Sequence, residues 1–256
     1  MSLDAAQFGI LWPAFIAGLL VTATHVPLGM QVLERGIVFI DLAIAQIAGA
    51  GVIFADYLGW EPAGVAVQIA ALLAALACAA LLTWTERRWP EVQEATIGVV
   101  FVIASSLAIL ILAKNPHGSE HLKDLLSGQI LWVNAARLPF EALVYAMILA
   151  LWFGMRERLG RIGFYVLFAC AVTIAVQLVG LFLVFSTLVI PALATFYSRR
   201  YRYFKAYAIG VLGYAAGLCL SLVLDLPSGA MIVCAMAVLG VLMAMTTGRR
   251  AESPSL

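Results

Sequence analysis

Residues 24–51 read THVPLGMQVLERGIVFIDLAIAQIAGAG. The stretch joins two long apolar runs through a charged break at Glu34 and Arg35, and it places His25, Asp41 and Gln46 inside or against those runs. An ionisable group at membrane depth is expensive, about 2.5–3.5 kcal/mol for an Asp at a helix centre on insertion scales, so such groups are retained for function. The hairpin therefore reads as the border of a polar path through a membrane protein, with its charged turn at a water interface.

Composition agrees with that reading. The chain is 64% hydrophobic and 11% charged, with mean hydropathy +1.04, whereas an ordinary globular domain carries about 25% charged residues. A formal net charge of +1 makes no case for nucleic acid as a partner. Cys78, Cys170, Cys219 and Cys234 lie in apolar runs without CxxC spacing, so they read as small buried residues rather than a disulfide or zinc framework. The first run has neither a basic leader nor a small-residue cleavage motif and reads as retained.

Apolar runs of about 18–20 residues span a bilayer as helices. They fall near 9–28, 37–55, 63–83, 95–113, 138–154, 162–177, 179–197, 206–224 and 229–247. The expected fold is an all-α polytopic bundle of about nine spans, eight if half of 162–197 is re-entrant. Residues 1–256 form one transmembrane domain with no soluble domain. Arg35, Arg87–Arg88, Arg156/Arg158/Arg161, Arg199–Lys205 and Arg249–Arg250 fall at alternate joints. Basic residues collect on the cytoplasmic side, which puts the N terminus outside and the C terminus in the cytoplasm. Trp60, Trp84, Trp89, Trp132 and Trp152 lie near span ends, as interfacial anchors do. Small residues on the second span (Ala43, Ala45, Ala48 to Gly51) and the eighth (Gly210, Gly213, Gly217) favour close helix packing in lipid.

Four segments resemble one family: PLGMQVLERGIVFIDLAIAQ at 27–46, EATIGV at 94–99, VGLFLVFSTLVIPALAT at 179–195 and DLPSGA at 225–230. They are similar, in order along the chain, to the membrane permease subunits of ABC importers for zinc, manganese and related divalent metals. The resemblance implies a homodimer in the bacterial cytoplasmic (inner) membrane. It also implies a separate cytoplasmic ATP-binding subunit and an extracytoplasmic metal-binding protein that delivers cargo. No cofactor would be bound permanently, and Zn2+ or another divalent metal would be the substrate. ATP hydrolysis would belong to another chain, in keeping with the lack of a GxxxxGK[ST] phosphate loop.

The family places an Asp and a His four residues apart on its second helix. Here those positions hold Leu42 and Gln46, and Asp41 is displaced by one. Asp41 and Gln46 point some 140° apart on an ideal helix at about 100° per residue. His25 is the one histidine within the apolar runs, and neutral imidazole is a common ligand for zinc and late transition metals. Helix 1 is expected to end just past it, so His25, Asp41 and Gln46 form a candidate transient metal site. The plainer alternative is that His25 bonds a backbone carbonyl freed by a proline while Asp41 caps its helix. A second candidate is the outer joint NPHGSEH, where His117 and His121 are four apart beside Glu120; a solvated loop is its alternative. Asp225 reads as part of a structural turn. In SRRYRYFK at 198–205, Ser198, Arg199, Arg200, Tyr201, Arg202 and Lys205 follow Pro191. This basic, aromatic joint has the shape of an ATPase-docking element, although positive-inside bias alone would also produce its charge. The charged joint 86–94 reads either as ATPase contact or as a solvated turn.

The expected function is thus the permease subunit of an ATP-driven divalent-metal importer, zinc ahead of manganese or iron. A secondary, ion- or proton-coupled metal transporter is the competing class. An intramembrane metalloenzyme would need a tight ligand set such as HExxH, and the chain has none.

Overall fold

In lipid every backbone polar group has to be satisfied within the protein, which restricts spanning segments to helices or closed barrels. The computed structural model describes residues 5–60, 64–112, 130–198 and 200–251, and among them every regular element is helical. Helices α1 (Ala5–Arg35), α2 (Ile40–Tyr57), α3 (Val65–Arg88) and α4 (Gln93–Leu112) precede one long run, Leu138–Val179. That run breaks at Gly160 (φ 55°, ψ −153°) into α5 (Leu138–Met155) and α6 (Gly160–Val179). Helices α7 (Leu181–Ala194), α8 (Arg202–Leu224) and α9 (Ser228–Ala251) complete the bundle.

Eight of these helices contain a segment long and apolar enough to cross a membrane. The exception is α7, with 14 residues, which rises only about 21 Å against a hydrocarbon core of about 30 Å. The expected break near Gln177 lies at Gly180 instead, a single residue between α6 and α7 at φ 87°, ψ 162°. Only glycine takes that conformation without strain, so the reversal is placed by the backbone rather than by a polar loop.

Helix α1 also departs from expectation. It does not stop near residue 28 but continues through Pro13 and Pro27 to Arg35. Pro27 cannot donate to Ala23 four residues back, and the freed carbonyl of Ala23 accepts the Tyr207 hydroxyl from α8 at 3.1 Å. With that acceptor satisfied, the helix carries on. It ends at Gly36 (φ 69°), where Gly36 N–H donates to Leu33 and Ile37 N–H to Val32, a glycine-terminated helix end.

The most enclosed helix is α6, with about two thirds of its span buried; α2 and α1 follow, and α4, α5 and α9 lie outside. Small residues allow the close contacts. Gly29 of α1 lies directly against the backbone of Leu188 on α7, and on α8 Gly213 and Gly217 meet Met236 and Ile232 of α9. Ala70, Ala71 and Ala74 of α3 pack on Gly51 of α2. Leucines and valines along α3 and α4, such as Leu73, Val102 and Leu110, are exposed, as lipid-facing residues are.

The turns at one end of the bundle are tied together. Arg202 at the start of α8 pairs with Glu34 at the end of α1 at 2.9 Å. Glu94 of α4 accepts from Phe39 N–H before α2, and the Arg35 guanidinium lies 4.2 Å from the Phe164 ring centre on α6. Arg87, Arg88, Arg202 and Lys205 therefore belong to the same basic end, as the alternation of charge along the chain anticipates. Two expectations need correction. Trp152 is not an interfacial anchor: it is buried at 3% exposure and packs on Phe164 at 5.8 Å. Cys219 and Cys234 are exposed rather than buried, while Cys78 is buried.

Candidate translocation site

His25 and Asp41 are both fully buried, turned into the bundle rather than toward lipid. His25 Nδ1 lies 3.0 Å from the Val21 carbonyl and 3.0 Å from Thr24 Oγ1. The Val21 oxygen can only accept, so Nδ1 carries the proton by this hydrogen-bond assignment. Nε2 is then the lone-pair nitrogen, and it has no protein partner. The carbonyl freed by Pro27 goes to Tyr207, not to His25, so the plainer account of this histidine does not hold in that form.

Asp41 is the second residue of α2. No other side chain hydrogen-bonds its carboxylate; the backbone N–H groups of Asp41 and Leu42 lie beside it, as for a carboxylate at a helix start, and Glu94 lies near enough to act on it electrostatically. The first helical turn is favourable for a negative charge, but a second carboxylate opposes it. Gln46 is also buried, at 8% exposure. Two side chains 140° apart are both enclosed because α3, α4 and α7 surround α2 along with the Leu138–Val179 run.

The structure does not join His25 to Asp41 by a hydrogen bond or an ion pair. Because α1 runs on to Arg35, about 15 Å of helix separates His25 from the turn, whereas Asp41 lies about 1.5 Å and Gln46 about 9 Å into α2. Gln46 is thus nearer in depth to His25 than Asp41 is. Among the described residues no group of three or more His, Cys, Asp or Glu is arranged to hold a metal ion. His117, Glu120 and His121 lie outside the described residues, and so does Arg199.

The rest of the basic joint is built as one unit. Pro191 is buried inside α7, and Thr195 Oγ1 donates to its carbonyl at 2.7 Å. Ser198 Oγ donates to Arg200 O at 3.1 Å and accepts from Lys205 Nζ at 2.7 Å. Tyr201 takes a left-handed conformation (φ 57°, ψ 34°) at the start of α8. The Arg200 guanidinium stacks 4.8 Å from its ring centre. Tyr197, Tyr201 and Phe204 project outward at 86%, 63% and 74% exposure. Large aromatic rings held out beside arginines by an internally bonded turn suit a protein contact.

Several polar residues were not anticipated. The Gln93 amide donates to Leu82 O at 3.0 Å and accepts from Thr85 Oγ1 at 2.9 Å, clamping α3 to α4. The joint 86–94 thus turns part of its polar content inward rather than to a partner. Asp225 ends α8 in a left-handed turn (φ 52°), with Ser221 Oγ donating to Leu226 O at 2.6 Å, which bears out a structural role. At the end opposite the basic joints is a cavity of about 250 Å³ lined by Trp132, Asn134, Arg137, Glu141, Gln177 and Leu178. Glu141 sits inside an apolar run, so the rule that singled out Asp41 would have found it.

Comparison with known proteins gives a consistent result. The model of the ABC 3 transport family matches residues 7–164 and 153–247. A Synechocystis protein described as an uncharacterized membrane protein is 26% identical over 90% of this chain and 88% of its own. The high-affinity zinc uptake system membrane protein ZnuB of Haemophilus influenzae is 23% identical over 92% of this chain and 97% of its own. Among solved structures, PsaBC from Streptococcus pneumoniae in complex with Fab superposes with a TM-score of 0.75 at 20% identity, covering 93% of this chain and 92% of that one. An inward-facing putative metal-chelate type ABC transporter gives 0.56 at 15% identity, covering all of this chain and 83% of that one.

Proposed function

The chain belongs to the ABC 3 transport family, and from that premise we propose that it is the membrane permease subunit of an ATP-driven importer of a divalent metal ion. Two copies form the translocation path in the bacterial inner membrane. The basic end faces the cytoplasm, the N terminus lies outside, and the path opens alternately to either side. A separate ATPase supplies the work, and an extracytoplasmic metal-binding protein supplies the cargo.

The observation that carries this reading is the joint between α7 and α8. Its basic and aromatic residues are joined to α1 at the Arg202–Glu34 pair, which offers a push on the exposed rings a route to the helix that holds His25. His25 Nε2 is buried without a protein partner and the Asp41 carboxylate is buried without a side-chain partner, the condition in which a passing cation meets usable donors. Zinc is the cargo this reading favours, because an imidazole nitrogen suits late transition metals, with manganese or iron next.

Reconstitution in proteoliposomes with the cognate ATPase and binding protein tests the reading. ATP-dependent zinc uptake exceeding manganese uptake is expected. Uptake that needs a proton or sodium gradient and ignores ATP would instead place the protein among secondary transporters.

A further inference from the structure

We propose that the cavity at the end opposite the basic joints is an entry site for a divalent cation that retains most of its water, with the Glu141 carboxylate as its anchor. The inference rests on the reading of the chain as a metal permease and adds to it a place where cargo is first held.

The space is right for that occupant. A volume of about 250 Å³ corresponds to about eight waters at their liquid share of roughly 30 Å³ each. That accommodates an ion with a full first hydration shell and is more than a bare ion needs. The chemistry is right as well. Glu141 Oε2 is shielded from solvent and has no hydrogen-bond partner. Asn134 and Gln177 bring two side-chain amides to the lining, and the Asn134 side chain is held in place by accepting from Ala136 N–H at 2.9 Å. One carboxylate, two amides and water make an oxygen-only donor set, which suits hard and borderline divalent ions.

A second observation concerns the residues behind this open cavity. Tyr145 lies one turn further along α5 on the same face as Glu141. It is 1% exposed, and its hydroxyl has no partner. Both Glu141 and Tyr214 of α8 lie within its electrostatic reach, and the Tyr214 hydroxyl pairs with Thr187 Oγ1 of α7 at 3.0 Å. Buried hydroxyls on α5, α8 and α7 thus lie behind the residue that anchors the cavity. A buried hydroxyl without a partner is costly in an apolar setting, so the unpartnered Tyr145 hydroxyl behind a polar mouth is the kind of group retained for a passing ligand.

Arg137 opposes the cation from the residue preceding α5. Its charge keeps the affinity low, as an entry site requires if cargo is to leave it again. This gives the two charged residues opposite signs in one experiment. The permease complex is purified with its ATPase, and Mn2+ binding is followed by electron paramagnetic resonance. Glu141→Gln should weaken Mn2+ binding roughly tenfold, and Arg137→Gln should tighten it, because ligand charge sets affinity at oxygen sites. Glu141→Gln should also raise the KM for metal uptake while leaving kcat and ATP hydrolysis near wild type. Unchanged Mn2+ affinity in Glu141→Gln overturns the proposal. So does an Arg137→Gln complex that loses Mn2+ as Glu141→Gln does, which would mean that the cavity takes an anionic ligand. If Glu141→Gln does not assemble, the sign of the Arg137→Gln effect decides. A wild-type complex that transports no divalent metal refutes the permease reading instead, while the binding titration still scores the site.

Discussion

Tyr207 on α8 donates its hydroxyl to the carbonyl of Ala23 on α1, 184 residues away in sequence, at 3.1 Å. This is the acceptor that Pro27 leaves without its helical donor. One hydrogen bond thereby lets α1 run past its proline, sets the depth of His25, and fastens the first helix to the one that begins at the basic joint.

Tyr207→Phe should therefore cost about 0.5–1.5 kcal/mol, within the range for interhelical hydrogen bonds in membranes. The loss should shrink in a Pro27→Ala background, since the backbone N–H restored at that position would then serve the Ala23 carbonyl. A double-mutant cycle by unfolding in detergent measures the coupling, and additive losses would argue that the bond does not compensate the proline.

The Arg202–Glu34 pair is partly solvent-exposed, at 23% and 42% for the two side chains, so its stability contribution is small, about 0–1 kcal/mol. Its expected effect is on coupling. Glu34→Gln or Arg202→Gln should leave ATP hydrolysis by the complex largely intact while metal uptake falls, and the charge-exchanged pair should recover part of it. Equal loss of hydrolysis and uptake would point to failed assembly rather than failed transmission.

His25→Ala and Asp41→Ala should each abolish metal uptake while dimer assembly, followed by size-exclusion chromatography, is unchanged. Normal uptake by both variants would remove these residues from the path. Because Gln46 sits nearer to the depth of His25 than Asp41 does, Gln46→Leu should depress uptake as well.

Gly180 occupies a conformation reserved for glycine. Gly180→Ala should destabilise the protein by roughly 1–3 kcal/mol, seen as a lower Tm in detergent. No change in Tm would show that the α6–α7 reversal can relax.

Much of the bundle was legible because the bilayer imposes local rules. Length and apolarity mark α3, α4, α8 and α9 within a few residues of the observed helices, and the glycine stripe at 210, 213 and 217 foretells the packing of α8. The candidate site was less legible. Pro27 reads as a helix end, yet a neighbouring helix can satisfy the carbonyl it frees, as tolerated prolines in membrane helices generally require. Trp152 reads as an anchor by its position near a span end, but a tryptophan at that position packs inward or outward according to its neighbours. Glu141 stood in plain view, but nothing near it in sequence shows that Gln177 lines the same cavity.

The amino-acid sequence by itself determined that this chain is an oily helical bundle with its basic residues at alternate joints, because membrane burial and charge placement act on each segment separately. The tertiary structure alone decided how deep His25 lies, that Asp41 is enclosed on the side of the bundle where Glu94 of α4 also lies, and where a polar cavity opens. Depth and facing are set by contacts between helices far apart in the chain, and no local pattern encodes them.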